Sequence, residues 1–499
     1  MKKRNLTIYG TALLLLLSGC SKDYLETTPT DKVSQEVVFS SVANANTALN
    51  GIYRFMFERT NVVDWNVQNK PGVGGIMLGL DFMGEDLGIS AANWYTSTGE
   101  GNWVGGRTDN HKLTEYYYRT FYKIIGDANG ILDQVDGLTG SDEDKNKLKS
   151  QALILRAYAY SNLVQLYGKR YDKNTDNSQL GVPLVLKFSD NALPRATVKE
   201  VYDAIIKDLD DVFALDIASR LNKSQANVQI AWGIRARVAL TMQDYANAIT
   251  YAKKVVDSKT FPLMNQNDYV KGFNDATLSE FMWASMPSTD QMDAFGSYFA
   301  QIAYNANTSF MRANPKRINS ALYDKISDTD VRKKMWEPAP TAANFPLPLA
   351  SFVREPYMSR KFSVKAAGGA LGDVPLMRTS EMYLILAEAY ASSNQTALAQ
   401  DILFEYAKVR DTEAVKSTNT GNALLEEIWV HRRTELWGEG FRYYDLKRLN
   451  KGLDRTVVPN YVQSTVGLSA MEVPAGDNRW QFLIPLAEIN ANKEIIQND

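Results

Sequence analysis

Apolar positions recur at three- and four-residue steps through most of this chain, and that spacing predicts helices wherever it persists. It begins near Glu36, where Phe39, Val42, Ala45, Leu49, Ile52 and Phe55 fall on one helical face. It returns over about 112–136 and over 143–167, with Gly168 placed to stop the second helix. Thr197 followed by Glu200 has the spacing of a capping box, so another helix should start at Thr197. Residues 231–257 carry two apolar faces separated by Asp244-Tyr245, with Ala239, Ala248 and Ala252 where two adjacent helices must approach closely. The pattern fails in two places. Residues 60–111 mix glycines with Trp65, Trp94, Tyr95 and Trp103 among Asn, Asp and Thr, and residues 260–375 mix Pro, Gly and Asn with scattered aromatics. Both read as loop-rich excursions from a helical frame.

The 231–257 pair resembles a tetratricopeptide unit, two helices joined by a tight turn with small residues at their crossing. A weaker copy spans 381–410, and the pair 143–167 with 197–215 reads as a third. The expected fold is therefore mostly α, a scaffold of helix pairs with few short strands. The end of the chain, RWQFLIPLAEINAN, predicts a short extended piece, a turn at Pro485 and a last helical turn.

The first 35 residues have a different pattern. Met1-Lys2-Lys3-Arg4 is positive, and Leu6 to Leu17 is apolar. That stretch is shorter than the roughly 20 residues needed to span a bilayer and suits an export signal. It ends in Leu17-Ser18-Gly19-Cys20, which looks like a bacterial lipobox, and Cys20 is the single cysteine among 499 residues. Residues 1–19 are expected to be a signal peptide, Cys20 a lipidated N-terminus, 20–35 a polar tether and 36–499 one domain. Each buried methylene of an acyl chain contributes ~0.8 kcal/mol, so two or three chains anchor a protein stably. The Lys22-Asp23 pair resembles a surface-export signal of Bacteroidetes lipoproteins.

Composition narrows the chemistry. The net charge is -2 and no basic stripe stands out, which argues against nucleic acid as a partner. Two histidines and one cysteine leave no zinc site of the usual kind. No nucleophile elbow, Walker loop or zincin helix is present, and GEGNWVGG lacks the spacing of a phosphate loop. Asp81, Glu85 and Asp86 form an acidic cluster of the ligand type calcium takes, but it lacks EF-hand spacing and reads as a solvated turn or cap. No cofactor is expected. A carboxylate pair brought together only in space, as in glycosidases, is left open. HRRTELWGEGFRYYDLKRLN, residues 431–450, is the densest charged stretch. Arg433 and Trp437 share a helix face, Asp445 and Arg448 stand three apart, and Gly438 and Gly440 allow a bend. Alternating charge of this kind reads as structural.

RRTELWGEGFRYYDLKR resembles the C-terminal signature of the RagB/SusD family of Bacteroidetes outer-membrane lipoproteins. PLMRTSEMYLILAEAYA resembles the family's other familiar helix, FLIPLAEINANKEIIQND its ending and SKDYLETTPTDKVSQEVVF its mature start. The family often has Trp where this chain has Tyr443 or Tyr444. The resemblance implies a SusD-like helical scaffold with tetratricopeptide-like pairs, a loop-rich ligand face and no catalysis. It also implies outer-membrane, surface-exposed localisation through the lipid at Cys20, and a SusC-like TonB-dependent transporter as partner, over which the lipoprotein sits as a lid. The implied ligand is an oligosaccharide. The same architecture binding peptides, and an unrecognised glycan hydrolase, are the alternatives. Sugar rings pair an apolar C–H face with a hydroxyl rim, which flat aromatic rings and polar side chains match. On that ground the expected stacking residues are Trp94 and Trp103, aided by Tyr95, Trp283, Tyr298 and Tyr304. Asn93, Asn102 and Arg107 are expected to bond the rim.

Overall fold

The computed structural model describes residues 39–499 except 60, 61, 66, 90, 92, 189–191, 367 and 368. The signal, Cys20 and the tether lie outside the described residues. The helical frame follows the periodic segments closely. Helices run over Val42–Phe55, Lys112–Gln134, Asp142–Tyr167 and Val198–Leu215. Gly168 caps the third of these, and the fourth opens on the capping box, in which Thr197 Oγ1 accepts the Glu200 N–H at 3.1 Å and Glu200 answers to the Thr197 N–H at 2.8 Å.

The repeat-like pairs form hairpins. Val228–Thr241 turns into Tyr245–Ser258, and Thr379–Ser392 turns into Thr396–Arg410. Both turns use one device: a residue in the left-handed region, Gln243 or Asn394, then an N–H that reaches back five residues, Asp244 to the Ala239 carbonyl and Gln395 to the Tyr390 carbonyl. Ala239, Ala248 and Ala252 are fully buried at the crossing of the first hairpin. The second helix of that hairpin packs on the first helix of the next, and Asp142–Tyr167 packs on Val198–Leu215, so the pairs stack in series.

The first excursion departs from expectation. Gly72–Met83 is a helix, buried on nearly every side. Each interior glycine costs roughly 1 kcal/mol of helix propensity, but a Cβ at Gly79 would lie 2.1 Å from the Tyr117 hydroxyl and one at Gly75 2.8 Å from the Lys70 Cα. The glycines let neighbouring elements close on the helix, and burial outweighs propensity. The two excursions are then welded by a small antiparallel sheet. Leu87–Gly88 pairs with Arg317–Ile318, which pairs with Met358–Ser359, which pairs with Trp336–Glu337. Segments far apart in sequence thus form one loop-rich region. Among the described residues no helix is long and apolar enough to cross a membrane.

Candidate functional site

The 93–107 loop is more ordered, and more self-contained, than its composition suggests. Asn93 Oδ1 accepts the Tyr95 N–H at 2.9 Å and the Asn93 N–H donates to Thr96 Oγ1 at 3.0 Å, so Asn93 caps the short helix Trp94–Ser97. Asn102 ties the loop to itself, through the Thr96 carbonyl at 3.1 Å and the Val104 N–H at 3.1 Å. Arg107 donates to the Gln481 carbonyl at 2.7 Å and to the Asp499 carbonyl. These three were expected on a ligand's polar rim; instead their polar groups hold the loop and its junction with the C-terminal segment.

The rings divide in the same way. Trp103 is 3 % exposed, with its Nε1–H on the Met83 carbonyl at 3.0 Å and its ring edge-on to Trp480 at 4.7 Å. Tyr95 is fully buried and stacks on Phe82 at 4.3 Å. Trp283 lies in the strand Phe281–Ser285, fully buried, with its Nε1–H on the Ser224 carbonyl at 3.0 Å. Tyr298 is buried and donates to the Gly438 carbonyl at 2.7 Å. In this structure none of the four presents a face to a ligand. Each sits where its apolar area fills the core and its polar tip finds a carbonyl.

Trp94 and Tyr304 remain, both half-buried. Trp94 stacks on Phe310 at 5.7 Å with the planes 22° apart, and Lys316 Nζ lies 3.6 Å from the Phe310 centroid. Trp94 is the half-buried outer ring of the pair and Phe310 the buried inner ring. Burial pushes the Lys316 amine well below its usual pKa. Arg312 stands on the same short helix as Phe310, Ser309–Ala313, and no hydrogen bond of its guanidinium is found among the described residues. Tyr304 meets Phe345 edge-on at 5.3 Å, and the Arg360 guanidinium covers Phe345 at 4.4 Å. The Val353 N–H donates to the Arg312 carbonyl at 2.9 Å and the adjacent Arg354 Nε donates to the Phe345 carbonyl at 3.3 Å, which links the two stations. Sequence reasoning missed Phe310, Arg312, Phe345 and Arg360. For Phe310 the signal was an arginine two residues on, Arg312; Phe345 and Arg360 stand fifteen positions apart and carried none.

One side chain braces this region from beneath. Arg455 is fully buried and donates to the carbonyls of Phe82, Gly84, Gly101 and Ala470, at 2.7 to 3.1 Å. Replacing it by Met would orphan several buried carbonyls, each costing about 1–3 kcal/mol. In Arg455→Met, hydrogen exchange should quicken across 99–107 and 468–473 while the helix pairs keep their protection. Uniform protection in the variant would show that the brace is dispensable.

The acidic cluster is no solvated turn. Asp81, Glu85 and Asp86 are buried, and their oxygens are taken by protein donors. Arg433 Nε lies 3.0 Å from both Asp86 oxygens, and Arg442 Nε 3.1 Å from both Glu85 oxygens. The N–H groups of Gly440 and Arg442 donate to Asp81 at 3.0 and 3.3 Å. Burial opposes the Glu85 charge, but Arg442 and Arg433 outweigh it and bring its pKa down to about 2, whereas burial pushes Asp81 up to about 7. Gly438 and Gly440 are both left-handed, and a Cβ on Gly440 would lie 2.7 Å from the Met77 Cα. The charged 431–450 stretch therefore clamps the first excursion onto the helical frame. No group of carboxylates, histidines or cysteines suited to a metal ion is found among the described residues.

Stacked helix pairs thus carry a loop-rich region with half-buried rings, Trp94 and Tyr304 among them. Two family models cover the chain: one described as "Starch-binding associating with outer membrane" over residues 23–240, the other as "SusD family" over 242–499. The chain belongs to the SusD family. It is 24% identical to SusD-like protein P2 of Formosa agariphila, over all of this chain and 99% of that one. Its fold matches a SusD-like carbohydrate binding protein of Bacteroides vulgatus with TM-score 0.78 at 24% identity, covering 91% of this chain and 97% of that one. A SusD superfamily protein of Bacteroides thetaiotaomicron matches with TM-score 0.75 at 23% identity, covering 92% and 100%. At these identities the structural likeness carries the fold alone.

Proposed function

We propose that this chain captures oligosaccharides at the outer-membrane surface and passes them to a SusC-like TonB-dependent transporter, which it covers as a lid. It is anchored by lipid at Cys20 and catalyses nothing itself. The observation that carries this reading is the Trp94–Phe310 column. It offers a flat, half-buried ring, with Arg312 two residues beyond Phe310 on the same short helix, in a family one of whose models is described as starch-binding. The ring suits a sugar's C–H face and the guanidinium its hydroxyl rim. The description of the Bacteroides vulgatus protein as carbohydrate binding agrees with it. A binding screen of the full chain against oligosaccharides and peptides tests the ligand class. Oligosaccharides should bind and be recovered intact, and binding of peptides alone would overturn the assignment.

The anchor has its own test. Cys20→Ala should leave the fold unchanged and move the protein out of the membrane fraction. Continued membrane fractionation with uptake of labelled fatty acid would contradict lipidation at Cys20.

A further inference from the structure

A second cleft lies where the helical frame meets the 325–332 segment of the second excursion. It is lined by residues of Thr396–Arg410 and Gly421–Glu435 and of the segments 325–332 and 411–417, and encloses about 350 Å³. That is within the range of small-molecule sites. Its lining shares no residue with the Trp94, Phe310, Tyr304 and Phe345 stations.

The polar groups facing it are unusually well defined. Arg332 Nη2 lies 2.8 Å from His431 Nδ1. A guanidinium only donates, so Nδ1 is the acceptor and Nε2 carries the proton. Burial first, and then the Arg332 charge, bring the His431 pKa down to about 3, so the ring stays neutral. No protein acceptor for Nε2–H is found among the described residues. One turn further along the same helix face stands Thr434, 1 % exposed, whose Oγ1 has no hydrogen-bond partner. Acceptors line the same cleft, Glu427 one turn before His431 on the same helix and Asp411 just past the end of Thr396–Arg410. Asp411 Oδ1 takes the Glu413 N–H at 3.0 Å, and Glu427 Oε2 takes Asn419 at 2.8 Å together with the Ser417 hydroxyl. The second oxygen of each carboxylate has no protein donor among the described residues. Phe404, half-buried, supplies an apolar wall. The cleft does not call for an anion: Arg332 is already held by Asp330, and Lys325, the other cation of the lining, is outnumbered by Asp411 and Glu427.

Neutral donors, carboxylate acceptors and one flat apolar wall fit a small uncharged polyhydroxylated ring. We propose that this cleft is a second carbohydrate site, taking one neutral sugar ring with its C–H face on Phe404. Its hydroxyls would donate to Asp411 and Glu427 and accept from His431 Nε2–H and Thr434. This goes beyond capture at the loops: it gives the chain a site for a single residue, independent of the longer ligand.

The chain has two histidines, His111 and His431, which makes the test direct. Imidazole-¹⁵N spectra of the full chain are recorded with methyl glycosides of glucose, galactose, mannose and xylose at about 10 mM, enough to fill most of a site whose Kd is about 1 mM. At least one glycoside should shift the His431 signals and leave those of His111 in place. Ala414→Trp, at the cleft rim, should abolish the shift with the melting temperature kept, and Trp94→Ala should preserve it. The proposal is overturned if no glycoside shifts His431, if the shift survives Ala414→Trp, or if only a cationic amine such as methylamine produces it. Because Trp94→Ala tests the loop face separately, failure of either site is told apart from failure of the other.

Discussion

Glu435→Gln should destabilise the fold by about 3–5 kcal/mol, the cost of breaking a buried ion pair from one side. A natural domain has only about 5–15 kcal/mol in total. Glu435 lies at the centre of a fully buried network. Arg378 Nη1 is 2.7 Å from Glu435 Oε1, Arg410 Nε is 3.1 Å from Oε2, and the Tyr406 and Tyr269 hydroxyls donate to Oε2 at 2.6 and 3.2 Å. Glu280 joins the same two arginines, and Glu439 joins Arg378 to Lys361 at 2.6 and 2.7 Å. Arg332, 3.9 Å from Glu435, brings its own partner Asp330, so four acids and four cations balance and a neutral amide at 435 leaves an uncompensated positive charge in the core. Urea unfolding should show the loss. Asp211→Ala, which breaks the exposed Lys207–Asp211 pair, should change stability by less than about 1 kcal/mol. Equal effects from both variants would remove the network from its central role.

The same network sets the acid limit of the fold. Burial opposes ionisation of Glu435, but Arg410, Arg378 and Arg332 outweigh it and hold the carboxyl well below the usual range. Burial likewise opposes ionisation of Glu439 and Asp445, whose arginine partners again lower the pKa. For carboxyls depressed in the folded state, the unfolded chain binds more protons. Their contribution is therefore present above the ordinary carboxylate pKa, about 4.3 for Glu, and is lost as pH falls through the folded values. Stability should fall from about pH 5 downwards, and less steeply in Glu435→Gln.

Trp103→Ala should cost about 3–5 kcal/mol, as for a buried aromatic. The indole fills the space between Tyr443 and Trp480, at 5.7 and 4.7 Å, and its Nε1–H satisfies the Met83 carbonyl. The residue also holds φ at 62°, so the loop must stay bent without the ring that anchors it. Thermal melting should drop clearly. A variant that melts like the parent but loses ligand would restore Trp103 to the binding surface.

Helix starts, stops and hairpins were readable because their signals are local: the capping box at Thr197, the stop at Gly168, the small residues at 239, 248 and 252. Family membership was readable because the 431–450 stretch is a charge pattern fixed by partners. Arg432 pairs with Asp445, Arg448 with Asp445 and Glu388, and Arg433 and Arg442 with the acids of the first excursion. Those partners lie up to hundreds of positions away, so the sequence marked the segment as structural without saying what it clamps. The binding face was harder. Trp94 and Trp103 stand nine residues apart in the same glycine-rich loop, and composition treats them alike. What separates them is Trp480 and Tyr443 closing over one, and Phe310 lying beneath the other. The Gly72–Met83 helix escaped notice for a related reason, since its glycines mark close neighbours that only the fold brings near.

The central claim is that the half-buried ring at 94 binds sugar. A calorimetric titration of an oligosaccharide from the screen into the parent and into Trp94→Ala tests it most directly. Truncating an anchor ring commonly costs about 2 kcal/mol, roughly a thirtyfold weaker Kd, and the variant should lose less stability than Trp103→Ala. An unchanged Kd in a well-folded Trp94→Ala would contradict the account.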